Sequence, residues 1–121
     1  MNDHRKQLGN FGERAATDYL QKRGYTILES NVRCPLGEID IVARDGDFLV
    51  FVEVRTRRGI GFGSPEESIT RTKQEKLVAL AEFYLQQHDA ISAPWRIDVV
   101  AIELGRNGKI TRMDLIANAV S

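Results

Sequence analysis

Four side chains that can bind a cation or an anion fall within one short stretch of this chain. Glu38, Asp40, Glu53 and Arg55 lie in two apolar runs that an Asp-Gly pair separates. Such a pair between apolar runs predicts a β-hairpin with a two-residue turn. Because side chains alternate across a strand and opposed residues share a face, all four project to one side. Carboxylates on one face of apolar strands are costly unless something positive lies between them, so the pattern points to a cation at this position.

The hairpin register sets the spacing within this group. With Asp45 and Gly46 as the turn, Asp40 faces Phe51 and is the diagonal neighbour of Glu53. At about 7–8 Å between their backbones, the two carboxylates are within reach of one shared ion.

Two further side chains could complete the cluster. A predicted helix from about Leu8 to Arg23 carries Glu13 at the border of its apolar stripe, where it either leans over the sheet or pairs with a base in solvent. Lys73 lies four residues before Leu77, on the inward side of a later helix. Its ammonium either snorkels to solvent or enters the carboxylate cluster.

A basic group follows the hairpin, although the net charge of the chain is zero. A neutral chain has no overall field to attract nucleic acid or membranes, so a local patch would have to do so. Beside a carboxylate cluster, such a patch could bind nucleic acid. The alternative is that these basic side chains only form a solvated surface. The group comprises Arg55, Arg57, Arg58, Arg71, Lys73 and Lys76.

Both faces of the hairpin are apolar over much of its length, which is typical of strands in the middle of an α/β layer structure. The order of elements is α-β-β-β-α-β-β, and the acidic group falls at the rim of the sheet. We assign Ile39, Ile41, Ala43, Val50, Val52 and Val54 to one face, and Val42, Leu49 and Phe51 to the other. The other strands are predicted from Tyr25 to about Arg33, from Trp95 to Ile102 and from Lys109 to about Leu115.

The second helical region begins with two capping signals. Ser64, followed by Pro65 and by Glu67 three residues on, predicts a helix start. Thr72 begins a similar pattern, so a short helix should precede or merge with a longer one that ends near His88. Asp98, within a later strand, is expected to be a structural partner of an arginine rather than a ligand.

Length and composition indicate one globular domain over residues 1–121, with about residues 1–7 as a disordered start. At 42% hydrophobic and 28% charged residues, the chain is neither disordered nor fibrous. No apolar run reaches the roughly 18–20 residues of a membrane span, and the polar start is not a secretory signal. The single cysteine, Cys34, fits a reducing cytoplasm and excludes a thiolate zinc cage. We therefore expect a cytoplasmic protein with no membrane partner.

Other catalytic patterns are weak. The glycine-rich loop at 59–63 lacks the Gly-Lys-Ser/Thr ending of a phosphate-binding P-loop. His4 lies in the expected disordered start and His88 at a helix end, so neither supports a histidine-based catalytic triad.

The chain resembles the YraN family of small bacterial proteins, which are classed as predicted endonucleases distantly related to Holliday-junction resolvases. The blocks that carry the resemblance extend over nearly the whole chain. They are residues 9–16, 24–25, 31–33, 37–40 (Gly-Glu-Ile-Asp), 51–55 (Phe-Val-Glu-Val-Arg), 68–74 and 96–100. The resemblance implies the restriction-endonuclease-like fold, with a central mixed sheet and helices on both faces.

The resemblance also implies roles for individual residues. Asp40 and Glu53, with the main-chain carbonyl of Val54, would hold Mg²⁺ or Mn²⁺, and Glu13 would lie close to the ion. Oxygen ligands suit such a hard cation. Arg55 stands where the superfamily of nucleases with the restriction-endonuclease-like fold has a lysine. Arginine stays protonated and cannot be a general base. It can still bind a phosphate through two hydrogen bonds. Water would then be activated either by the metal alone or with Lys73 in place of the usual lysine.

Three functions remain open. The first is a metal-dependent endonuclease that hydrolyses DNA, in particular branched or damaged DNA, with Arg57, Arg58, Arg71 and Lys76 contacting the nucleic acid. The second is a nucleic-acid-binding module with a degenerate, inactive nuclease site. The third is a protein-interaction domain. The oligomeric state is open, with a homodimer as one option.

Overall fold

A computed structural model describes residues 3–58 and 64–120, with side chains from Gly9 onward. It confirms the predicted α/β order, with a five-stranded mixed sheet between two long helices. The elements are α1 (Asp3–Lys22), β1 (Thr26–Cys34), β2 (Gly37–Asp45), β3 (Phe48–Arg58), a short 3-10 helix (Pro65–Ser68), α2 (Arg71–Gln87), β4 (Trp95–Leu104) and β5 (Ile110–Ile116). None of the helices in the described ranges is long and apolar enough to cross a membrane.

The strands lie in their sequence order, β1-β2-β3-β4-β5, and only the β3–β4 pair is parallel. Parallel neighbours need a crossover connection, and here α2 provides it, while α1 covers the opposite face. Each helix therefore has its own core. The core under α1 contains Ala16, Leu20, Ile41, Ala43, Val50, Val52, Val100 and Ile102. The core under α2 contains Val42, Leu49, Phe51, Leu77, Leu80, Ala81, Tyr84 and Ile97.

The predicted hairpin exists, but its turn lies one residue later than expected. Asp45 pairs with Phe48, so the turn residues are Gly46 and Asp47 rather than Asp45 and Gly46. Gly46 has φ of 60° and Asp47 is not among the residues with positive φ, which is the pattern of a type II′ turn with glycine first. The register moves by two residues as a result, while the side chains of the paired residues keep their faces.

One face assignment was wrong. Ile39 packs in the core under α2, although it was predicted to share a face with Ile41. The β2–β3 ladder ends at the pair Ile41 and Val52, and β2 turns away from β3 beyond that point. The alternation of side chains between the two faces of β2 is therefore interrupted between Ile39 and Ile41.

Two helix starts also differ from prediction. Helix α1 begins at Asp3, so residues 3–7 of the expected disordered start are helical. The cap of α2 is Thr70 rather than Thr72, since the Thr70 hydroxyl accepts a hydrogen bond from the Lys73 N–H at 3.2 Å. The capping box at Ser64 is confirmed. The glycine-rich loop predicted at 59–63 lies outside the described residues.

Asp98 has the predicted structural role. It is fully buried, and its carboxylate accepts hydrogen bonds from the hydroxyl of Tyr25 at 2.8 Å and from Nε of Arg96 at 3.0 Å. Arg96 also donates to Asp45 at 2.7 Å, so the network ties the hairpin turn to β4. Burial, followed by the bond to Asp98, raises the pKa of Tyr25 to about 12.

Candidate functional site

The candidate site begins where β2 and β3 separate. Beyond the last paired residues, the N–H of Val54 donates a hydrogen bond to Asp40 Oδ2 at 2.8 Å. A side-chain carboxylate therefore satisfies a donor of β3 that β2 no longer reaches. In the observed register the next step would set Asp40 opposite Glu53, rather than diagonal to it as predicted. Asp40 therefore lies in the gap that opens between β2 and β3 beyond their last paired residues, and we call this gap the fork.

The fork opens into a cavity of about 610 Å³ between the first half of α1 and the start of α2. Four carboxylates and four basic side chains line it, so its formal charges balance. The acids are Glu13, Glu38, Asp40 and Glu53, and the bases are Arg55, Arg57, Lys73 and Lys76. The structure therefore brings all five predicted catalytic residues to one cavity, together with Val54.

Three of the carboxylates converge. Glu13, Glu38 and Asp40, which we call the acidic trio, each offer an oxygen within 4.8 Å of the others. Glu38 was placed on this face by the sequence but was given no role. The alternation of Glu38 with Asp40 along β2 was the sequence signal that could have identified it. Glu13, which completes the group, comes from α1 and is brought there by the tertiary structure.

Crowding and burial alter the acidity of this group. Burial first, and then the charge of Glu53, raise the pKa of Asp40 to about 8, although the N–H of Val54 acts in the opposite direction. Glu13 also has a raised pKa, mainly through burial, while a hydrogen bond from Asn31 lowers it. Without a cation, Asp40 and Glu13 therefore hold their protons to higher pH than isolated carboxyls do.

Glu53 makes contacts of another kind. It is only 5% exposed, and its Oε2 lies 3.3 Å from Nε of Arg55 and 3.3 Å from Nζ of Lys73. The sequence left two positions open for the Lys73 ammonium, in solvent or among the carboxylates, and in the structure it lies among the carboxylates. Within the described residues, Arg55 Nε is the one buried side-chain nitrogen or oxygen that lacks a hydrogen-bond partner.

A close approach between α1 and β3 brings Glu13 over the fork. A Cβ atom on the preceding residue, Gly12, would overlap Oγ1 of Thr56. Only glycine lets the helix backbone lie this near the strand, since no other residue lacks a Cβ. Glu13, which was predicted at the border of the apolar stripe of the helix, therefore lies above the site.

The predicted nucleic-acid contacts separate into two pairs. Arg57 and Lys76 line the cavity. Arg58 instead donates to the carbonyl of Arg106 at 3.5 Å, and the side chain of Arg71 is 93% exposed beyond the cavity. The single basic patch expected from the sequence is thus divided, and its part at the cavity faces the carboxylates.

Comparison with known proteins gives a family. Residues 12–102 match the family described as uncharacterised protein family UPF0102. A UPF0102 protein of Roseiflexus castenholzii is 52% identical over 122 residues, covering 99% of this chain and 98% of the relative. One of Dehalococcoides mccartyi is 48% identical over 117 residues, covering 97% and 95%. This is the YraN-like family that the sequence resembled, and its description assigns no activity.

Proposed function

We propose that this chain, which belongs to the UPF0102 family, is a metal-dependent endonuclease that hydrolyses phosphodiester bonds in branched or damaged DNA. The observation that carries the proposal is the pairing of a converging carboxylate group with basic side chains in one cavity. Acids alone would suit a cation, and bases alone would suit an anion. Cleavage of a phosphodiester needs both, because a polarising cation must meet an anionic substrate.

The carboxylates fit a magnesium or manganese ion. All the side-chain donors are oxygens, which hard divalent cations prefer, and Mg²⁺ keeps several waters while using one or two carboxylates. Asp40 belongs both to the acidic trio and to the set of Asp40, Glu53 and Val54 that the family resemblance implies. Bound there, the ion would lower the pKa of a water molecule and offset charge on the phosphate.

The protein's own groups would then bind and orient the DNA. The guanidinium of Arg55 can donate two parallel hydrogen bonds to a phosphate, and Lys73 adds a positive charge beside it. Arg57 and Lys76, nearer the mouth of the cavity, would contact neighbouring phosphates. Arg55 cannot accept a proton from water, so proton removal has to fall to other groups or to solvent.

A second candidate is a nucleic-acid-binding module with an inactive site. The observation that favours it is the Glu53 carboxylate, which is engaged by two cations, one of them an arginine where the superfamily has a lysine. This alternative predicts DNA binding that weakens steeply with salt and no cleavage with any metal.

Incubation of the pure protein with linear and four-way-junction DNA separates the candidates. We expect cleavage with Mg²⁺ or Mn²⁺ and none with EDTA or in Asp40→Asn. Asp47→Asn, in the exposed hairpin turn, is the matched control and should cleave normally. Salt-sensitive binding with no cleavage under any of these conditions would favour the inactive module, and absence of both would exclude DNA as the partner.

A further inference from the structure

A second groove adjoins the cavity at the edge of the sheet. It has a volume of about 400 Å³ and lies between α1 and β1, and we call it the α1–β1 groove. Glu13 lines both the groove and the cavity, so the two are neighbours. Building on the proposed function, we infer that this groove holds one strand of the DNA by its sugar-phosphate backbone, beside the part of the DNA that enters the cavity. The side chains that line the groove are Asn10, Glu13, Arg14, Thr17, Ser30 and Asn31.

The lining of the groove consists of polar groups that contact a nucleic-acid backbone. Four of its six side chains are amides or hydroxyls, one is an arginine and one a carboxyl. Amides, hydroxyls and arginine are the groups through which proteins bind phosphate and sugar oxygens. None of the six described residues in the lining is aromatic or aliphatic, so the bases find no surface on which to stack. The groove therefore suits the backbone of a strand rather than its bases.

Two exposed arginines give the groove its positive charge. Arg14 lies in the lining, and Arg33 follows Asn31 by two residues on β1, where it is paired with Glu38 of β2 in the strand register. Among the described side chains, neither arginine forms an ion pair. The carboxyl of Glu13 opposes them weakly, because its raised pKa favours the neutral form. Both guanidinium groups are therefore available to bind phosphates.

A break in the regularity of β1 turns polar residues towards the groove. Asn31 has a φ of 54°, in the left-handed region, and lies between the pairs Ser30–Ile41 and Val32–Ile39. Ile41 belongs to the core under α1, whereas Val32 and Ile39 pack in the core under α2. Residues two apart in a regular strand share a face, so the strand changes face at Asn31. Ser30 and Asn31 consequently lie beside α1, and asparagine tolerates this backbone conformation better than most residues do.

The groove extends the predicted DNA interface to a part of the protein that had no assigned contact. Arg57 and Lys76 belong to β3 and α2, whereas Arg14 and Arg33 belong to α1 and β1. Strand β2 separates β1 from β3 in the sheet, and the acidic trio lies next to both groups of bases. A DNA strand that passes the cavity would therefore be held on both sides of it.

Fluorescence anisotropy with a single-stranded oligonucleotide of about 12 nucleotides, in EDTA and over a range of salt concentrations, tests the charged part of the groove. Arg14→Ala and Arg33→Ala should each weaken binding and reduce the slope of log affinity against log salt by about 0.7, the value for one phosphate contact in a single strand. Lys22→Ala is the matched control. It removes an exposed positive charge from the last turn of the same helix, about 12 Å along the axis from Arg14, and should keep the slope of the wild type.

Two neutral substitutions test the rest of the lining. Asn31→Gly removes the amide while glycine readily adopts a φ of 54°, and Thr17→Val replaces the hydroxyl by a methyl group of similar size. Each should weaken binding about threefold, as expected for one lost hydrogen bond, and leave the salt slope unchanged. The loss should be the same for oligo-dT and oligo-dA, because the contacts are to the backbone. Circular dichroism checks that every variant folds.

The outcomes distinguish this inference from the proposed function. If the wild type binds DNA and the Arg14→Ala and Arg33→Ala variants match it in affinity and slope, the groove is not part of the interface, and only this inference is overturned. An equal loss in Lys22→Ala would also overturn it, since net charge alone would explain the effect. Binding with the expected losses but without cleavage in Mg²⁺ would support the groove and contradict the nuclease. A wild type that does not bind DNA would refute both.

Discussion

The raised pKa of Asp40 makes the stability of the metal-free protein depend on pH in a definite direction. In the folded protein this pKa is about 8, whereas in an unfolded chain an aspartate has a pKa of about 3.9. The folded state therefore binds the proton more tightly than the unfolded state. Its contribution to stability is complete below the unfolded value and is lost as pH rises towards 8.

The magnitude follows from proton linkage. One proton held only by the folded state changes the free energy of unfolding by about 1.4 kcal/mol per pH unit. Between pH 5 and pH 7 the wild type should therefore lose at most about 3 kcal/mol through this group. Asp40→Asn cannot ionise, and its amide oxygen can still accept the hydrogen bond from Val54. The variant should lack this part of the pH dependence.

Urea denaturation of both proteins in EDTA, from pH 5 to pH 8, measures the effect. The free energy of unfolding of the wild type minus that of Asp40→Asn should fall steadily with pH, while contributions from other groups largely cancel. Added Mg²⁺ should stabilise the wild type more at pH 8 than at pH 6, since the ion competes with the proton. A difference that does not change with pH would refute the crowding of Asp40 and Glu53 on which this reasoning depends.

Three further changes test separate contacts by denaturation or binding. Gly12→Ala should destabilise the protein by about 1–3 kcal/mol, because its methyl group would overlap the Thr56 hydroxyl; Thr56→Ala should recover most of this loss, and additive losses in urea would contradict the contact. Tyr25→Phe removes a hydrogen bond to buried Asp98 and should cost about 1–3 kcal/mol in the same assay; an unchanged value would mean that the remaining donors suffice. Lys76→Ala should reduce the slope of log affinity against log salt by about 0.9 for duplex DNA, measured by fluorescence anisotropy; an equal slope would place this lysine outside the interface.

The order of elements could be predicted because its signals are local. Apolar alternation marks strands, a 3.6-residue period marks helices, and caps such as Ser64 mark starts, and each depends only on neighbouring residues. The faces of the paired hairpin residues were also predictable, since alternation survives a register shift of two, whereas Ile39 lies beyond the end of the ladder and was assigned to the wrong face. The turn itself was misplaced because Asp-Gly is compatible with glycine at either central position, and only the II′ geometry of Gly46 decides between them.

The sequence by itself determined the α/β architecture and the presence of acids and bases on one face of a hairpin, since both follow from periodicity along the chain. The tertiary structure decided how those charges are grouped. Glu13 joins Glu38 and Asp40 because Gly12 lets α1 lie close to β3, and Lys73 meets Glu53 because α2 crosses the opposite face. Such groupings depend on distances between elements far apart in the chain, which the packing of two cores on one sheet fixes and which no local pattern encodes.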